Sequence, residues 1–158
     1  MGRGKQRSRV TNPRWQWPSG DEEAPELADF KNVCFEVARQ TGGHVESASD
    51  GRFPPNFHHV VITFRDRRVA VLCHQALALL ALATPPVESS IWPLSFVDDP
   101  AIGPTIAALL RVRLLTAAEL ELDWSRAATH PPAEVAHEED LKYWRPGSVG
   151  DVIFNMWD

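Results

Sequence analysis

Six histidines are the residues that come nearest to a metal or acid–base site in this sequence. His58 and His59 are adjacent, and His74 directly follows Cys73, within stretches rich in apolar residues. Neighbouring residues of a strand point to opposite faces, so neither pair can share one metal ion. No His or Cys pair has the ligand spacing expected on a single element. The sequence therefore predicts no bound metal, although ligands brought together from distant segments stay open as an alternative.

Adjacent carboxylates form two other groups, Asp98-Asp99 and residues 138–140. Such runs are more typical of a solvated surface or a helix cap than of an acid–base pair. The sequence also contains neither a glycine-rich phosphate loop nor a Gly-x-Ser-x-Gly elbow. We therefore predict that the protein is not an enzyme and needs no cofactor.

Charge is distributed unevenly along the 158 residues. Residues 1–14 hold five of the 16 basic side chains and no acidic one. The rest of the chain therefore contains 11 basic and all 21 acidic residues. An acidic body favours rapid encounter with a basic protein partner, and it repels the phosphates of nucleic acid. The Arg-rich tail by itself predicts only weak, salt-sensitive phosphate binding.

The sequence indicates a cytoplasmic protein that does not bind membranes. No apolar run approaches the roughly 20 residues that a membrane-spanning helix requires, and no apolar segment follows the basic N-terminus as in a secretory signal. Cys34 and Cys73 lie within apolar patterns and are predicted to be buried, reduced thiols. Nothing in the sequence indicates the oligomeric state.

The elements that must position these residues begin with a helix. Asp21 to Glu23 favour a helix start, Pro25 suits the first turn, and Gly42-Gly43 is a stop signal. A short strand is predicted at residues 44–46, and β-rich runs at 60–64 and 69–73 predict a hairpin.

The Ala- and Leu-rich residues 75–83 predict a buried helix, because these residues favour helices and carry no β-branch. A strand is predicted at residues 91–97. Asp98-Asp99-Pro100 resembles the start of a helix that would bury four apolar side chains: Ile102, Ile106, Leu109 and Leu110.

Two further helix starts are indicated in the C-terminal third. Thr116 and Glu119 have the spacing of a capping box before Leu120, and Ser148 precedes an apolar run that includes Phe154 and Trp157. Residues 141–144 predict a final strand.

These elements predict an α+β fold: a small antiparallel sheet with a β-hairpin, packed against several helices in a single domain at residues 21–158. Residues 1–20 are predicted to be a disordered basic tail. Trp15 and Trp17 are the exception, since they either dock on the domain or mark where order begins.

Residues 143–158 read Tyr-Trp-Arg-Pro, then Val-Gly, then Phe-Asn-Met-Trp-Asp. This ending resembles one of the bacterial immunity-protein families, the cytosolic antidotes to polymorphic secreted toxins, and residues 114–120 are similar to what precedes it there. The resemblance covers about a quarter of the chain and none of the first 20 residues. It implies a non-enzymatic inhibitor that binds its own toxin over or beside the active site, and it implies that the motif closes the fold while contact residues vary.

The residues and the resemblance together favour an immunity protein that occludes a cognate, basic toxin. The predicted partner-binding residues are acidic: Asp98, Asp99, Glu138, Glu139 and Asp140. The alternative is a non-enzymatic regulatory or adaptor domain whose basic tail contacts nucleic acid or an acidic partner.

Overall fold

An antiparallel sheet with helices on both faces organises the chain. The computed structural model describes residues 15–18, 22–87, 93–127 and 130–157. Its strands are β1 (His44–Ala48), β2 (Phe57–Thr63), β3 (Arg68–His74), β4 (Leu79–Ala83), β5 (Phe96–Val97) and β6 (Arg113–Leu114). Strands β1 to β5 are neighbours in chain order, and β6 runs parallel to β4. The predicted hairpin is confirmed: β2 and β3 pair from Phe57–His74 to Thr63–Arg68.

Six helices are described: α1 (Leu27–Thr41), α2 (Ile102–Leu109), α3 (Ala117–Leu120), α4 (Trp124–Ala127), α5 (Glu138–Trp144) and α6 (Val149–Ile153). The predicted α+β class is therefore confirmed. Helix α1 starts two residues after Pro25 and ends at Gly42, whose φ of 85° suits a residue without a Cβ.

Each face of the sheet has its own core. Helices α1 and α2 cover one face, where Phe30, Cys34 and Ile106 pack against β-sheet side chains such as Ile62 and Val71. Cys34 and Cys73 are buried free thiols, as predicted.

The second face is covered by α3, α6 and the residues that follow α6. Phe57 and Leu72 of the sheet pack there against Phe154 and the α6 residue Ile153. Trp15 is also buried in this core, so the segment at residues 15–18 docks on the domain, one of the two alternatives raised for its tryptophans.

The prediction of a helix at residues 75–83 is wrong, because residues 79–83 form β4. All five residues of β4 are buried, and they alternate between the two cores: Leu79 and Ala81 on one face, Leu80 and Leu82 on the other. A central strand covered on both faces needs a continuous apolar run, which outweighs the helix preference of Ala and Leu.

Three further expectations need correction. Residues 141–144, predicted as a strand, belong to α5. Leu109, predicted to be buried, is 41% exposed at the end of α2. The strand predicted at residues 91–97 is only Phe96–Val97, and residues 91 and 92 of that prediction lie outside the described residues.

Candidate partner-binding surface

The C-terminal segment is fastened to the loop before β2 by a buried polar network. The backbone N–H of Asn56 donates to the carbonyl of Asn155 (3.1 Å), and the backbone N–H of Asn155 donates to Oδ1 of Asn56 (3.0 Å). The Asn56 amide donates to the carbonyl of Ile153, and that of Asn155 to the carbonyl of Val152. Both asparagines are buried, so these bonds satisfy groups that water cannot reach.

His74 lies beside this network at the end of β3. Its Nδ1 accepts from the backbone N–H groups of Ala76 and Leu77, each at 3.0 Å, which assigns the proton of the neutral ring to Nε2. Burial lowers the pKa of His74 to about 4, because a charged ring would lose its hydration there. The histidine therefore acts in the fold as a neutral acceptor.

Helix α6 is positioned by an N-terminal cap and by the close packing of Gly150 against Phe96. The Ser148 hydroxyl accepts from the backbone N–H of Asp151, as the sequence predicts. A Cβ on Gly150 would run into the ring of Phe96 and lie 3.0 Å from the carbonyl oxygen of Leu120. The Val-Gly and Phe-Asn parts of the C-terminal motif thus serve the packing of the fold.

Aromatic residues of the same motif continue from the core to the surface. Trp157 is buried, and its ring stacks on that of Trp144 with centroids 5.9 Å apart and planes 1° from parallel. Tyr143 packs edge-on against Trp144 but is itself 77% exposed. An aromatic side chain this exposed is a candidate contact residue.

A cleft of about 240 Å³ lies where the loop before β2, the turn before α5 and the C-terminal segment meet. Its lining includes Phe53, Asn56, Glu134, Asp140, Asn155 and Trp157. Phe53 is 65% exposed at the edge of the cleft. The lining therefore combines two carboxylates, aromatic rings and buried amides.

Three of the predicted contact residues form the first turn of α5. Glu138 and Glu139 are exposed, and Nδ1 of His130 lies 3.7 Å from a carboxylate oxygen of Glu138. Asp140 lines the cleft, and its Oδ2 accepts from the backbone N–H of His137 at 3.0 Å. Tyr143 follows on the same side of the helix, three residues after Asp140 and four after Glu139.

We call Phe53, Glu134, Glu138, Glu139, Asp140 and Tyr143 the acidic–aromatic surface. Phe53 and Glu134 were not predicted as contacts. Neither residue belongs to a sequence pattern that indicates a binding site. They line the same cleft only because the fold brings the loop before β2 next to the turn before α5.

The other two predicted contact residues have structural partners elsewhere. Asp99 is buried, pairs with Arg67 (2.6 Å), and accepts from the backbone N–H groups of Ala101 and Ile102 at the start of α2. These hydrogen bonds to Arg67 and the backbone hold the pKa of Asp99 below its usual value despite burial. Asp98 is exposed and accepts from the backbone N–H of Ala117. No hydrogen bond or ion pair among the described residues joins Asp98 or Asp99 to the first turn of α5.

A larger hollow of about 460 Å³ lies at the turn between β2 and β3, and its lining includes Arg65, Arg67 and Arg68. Arg67 pairs with Asp66 and Asp99, and Arg68 pairs with Glu46. Carboxylates therefore neutralise two of the three guanidinium groups, and the hollow is a weaker candidate for a charged ligand than the cleft.

The two cysteines and His58 are not part of the cleft lining. Burial raises the pKa of Cys73 to about 12 and also raises that of Cys34, so both remain thiols at neutral pH. Burial, followed by the charge of Lys31, lowers the pKa of His58. Within the described residues, no three His, Cys, Asp or Glu side chains are arranged to hold a metal ion.

No helix in the described part of the chain is both long and apolar enough to cross a bilayer. Comparison with known proteins gives no match, whether to a family model, to a curated protein or to a solved structure.

Proposed function

We propose that this protein is a bacterial immunity protein that binds a cognate secreted toxin in the cytoplasm and blocks its active site. The observation that carries the proposal is the acidic–aromatic surface, where Glu138 and Glu139 are exposed beside Tyr143 and a cleft. Exposed aromatic side chains are frequent binding hot spots, and a cluster of carboxylates accelerates encounter with a basic protein.

The structural roles of the C-terminal motif residues support this proposal. Gly150, Asn155 and Trp157 serve packing and buried hydrogen bonds, whereas the variable part of an inhibitor must lie on its surface. Neither carboxylate, Glu138 nor Glu139, accepts a hydrogen bond from a backbone N–H of the described residues, so both can meet a partner. Asp98 and Asp99 are left out of the proposed contact set, because neither lines the cleft and their carboxylates bond backbone N–H groups at the starts of α3 and α2.

The experiment is capture of the partner with the tagged full chain at moderate salt, followed by mass spectrometry. We expect one stoichiometric partner with a toxic C-terminal domain whose activity is lost on mixing. The Glu138→Lys/Glu139→Lys variant should capture much less of it. Glu121→Lys is a control, because Glu121 is exposed and its side chain makes no hydrogen bond or ion pair with other described residues.

The competing function is an adaptor that works through its basic N-terminus. Deleting residues 1–14 removes five basic side chains and leaves the acidic–aromatic surface intact. Capture of the same partner by the shortened chain supports the immunity function. Recovery of nucleic acid or an acidic protein by the full chain, lost on the deletion, would replace it with the adaptor function.

A further inference from the structure

We infer that the cleft receives an arginine side chain of the bound partner. That the arginine belongs to a protein partner rests on the proposed function. That the cleft binds a guanidinium group does not depend on it. The argument uses the shape, the charge and the aromatic lining of the cleft.

The inner wall of the cleft is preformed. Asn56 and Asn155 line it, and both amides are held by bonds to backbone carbonyls. Trp157 is 5% exposed and fixed by its stack on Trp144. A site with a rigid wall loses little conformational entropy when a side chain enters it.

The charge of the cleft selects a cation. Glu134 and Asp140 contribute carboxylates. Among the described residues, the lining contains no lysine or arginine, and His137 is its remaining ionisable side chain. Asp140 is positioned by the backbone N–H of His137, which uses Oδ2 and leaves Oδ1 without a partner among the described residues. Glu134 makes no hydrogen bond or ion pair with any described residue, so its carboxylate is free to accept.

The aromatic lining favours arginine over lysine. A guanidinium group is planar, so it can stack on an open aromatic face such as that of Phe53 while its N–H groups bond a carboxylate. The ammonium group of lysine is strongly hydrated and presents no flat surface to a ring. Phe53 is 65% exposed, which leaves its ring open to a side chain from a partner.

The test needs no toxin. The full ¹⁵N-labelled chain is titrated with Nα-acetyl-arginine amide and, separately, with the matching citrulline and lysine amides. Citrulline keeps the shape of arginine without its charge. We expect saturable NMR shifts at Glu134, Asp140 and the Trp157 indole with the arginine probe, and at least about tenfold weaker binding of the other two.

The cleft variant is Glu134→Gln/Asp140→Asn, which removes both charges but keeps an acceptor for the His137 N–H. It should weaken arginine binding at least about tenfold. Glu121→Gln/Asp29→Asn removes the same charge from exposed positions outside the cleft lining and should not change it. Equal binding of arginine and citrulline, equal binding of arginine and lysine, shifts away from the cleft, or an unaffected cleft variant would each overturn the inference.

The results separate this inference from the proposed function. Selective arginine binding without any toxin partner would leave the cleft chemistry standing and refute the immunity function. If the chain captures and inhibits a toxin but its cleft does not bind the arginine probe, the immunity function stands and the arginine inference is refuted.

Discussion

Asn56 and Asn155 bind each other across 99 residues of sequence: each backbone N–H donates to an oxygen of the other residue. The Asn155 side chain also accepts from the backbone N–H of Trp157 and donates to the carbonyl of Val135 (3.3 Å each). Through its backbone and its side-chain amide, Asn155 thus connects the C-terminal segment, the loop before β2 and the turn before α5, which are the three walls of the cleft.

Replacing Asn155 with alanine should therefore destabilise the protein. The carbonyl of Val152 and the N–H of Trp157 would lose their buried partner, at a cost of about 3 kcal/mol in the free energy of unfolding. Urea denaturation measures the change. Asn32→Ala is the control, since Asn32 is exposed on α1. Equal stability of the two variants would contradict the role given to Asn155.

Gly150→Ala should lower the free energy of unfolding by about 2 kcal/mol, because the added methyl group meets the Phe96 ring and the Leu120 carbonyl. Gly147→Ala is a matched control in the same motif. Its Cβ would lie 3.8 Å from Asp151, an ordinary contact, so the change should stay within about 0.5 kcal/mol. Thermal and chemical denaturation of both variants measures the difference in stability. Equal losses of stability would show that the close approach of α6 to β5 does not restrict the size of residue 150.

Asp99 and Asp98 are adjacent but should respond differently to substitution. Asp99→Ala removes a buried helix cap and leaves Arg67 without its main partner, which we expect to cost about 2 kcal/mol. Asp98→Ala removes one exposed hydrogen bond to Ala117 and should cost less than about 1 kcal/mol. Denaturation of the two variants under the same conditions provides the comparison; the opposite order would return Asp99 to the list of candidate contacts.

Stability should fall as the pH decreases from about 6.5 to about 4. In this window an unfolded histidine binds a proton, whereas folded His74, with its pKa near 4, does not. The free energy of unfolding then decreases by up to about 1.4 kcal/mol per pH unit, or about 3 kcal/mol over the window. His58, whose pKa is also lowered, contributes in the same direction.

Denaturation at pH 7, 6 and 5 tests this prediction, with His74→Gln as the variant that should show a shallower slope. Proton NMR gives a second readout on the unaltered chain, where the His74 ring should not titrate above about pH 5. A ring that titrates near pH 6.5 would contradict the buried, neutral histidine.

Sequence patterns predicted the helix caps and the hairpin, which depend on residues close together in the chain. The capping box of Thr116 and Glu119 forms as expected, with both reciprocal bonds present, and so does the cap at Ser148. The β2–β3 hairpin follows from two β-branched runs joined by a polar turn.

The errors arose where tertiary packing decides. Residues 79–83 have helix-favouring side chains but occupy the centre of a sheet that is covered on both faces. The start of α5 has no Ser, Thr, Asp or Asn at its cap, only His137 with the Asp140 carboxylate bonded to its N–H. The helix was therefore mistaken for a strand.

The candidate surface was partly predictable for the same reason. Glu138, Glu139 and Asp140 stand out as a run of charge, but their proximity to Phe53 depends on contacts about 85 residues apart in the chain. Asp98 and Asp99 show an equally clear charge pattern, but their carboxylates bond backbone N–H groups at the starts of α3 and α2.

The most direct test of the proposed binding surface is the association rate of the purified chain with its captured partner, measured by stopped flow at low and moderate salt. Glu138→Lys/Glu139→Lys should slow association at least about tenfold at low salt, with a smaller effect at higher salt, because exposed charges steer encounter and salt screens them. Glu121→Lys/Asp29→Lys should have little effect. Equal slowing by both pairs would mean that only net charge matters, and an unchanged rate for the Glu138/Glu139 variant would contradict binding through the acidic–aromatic surface.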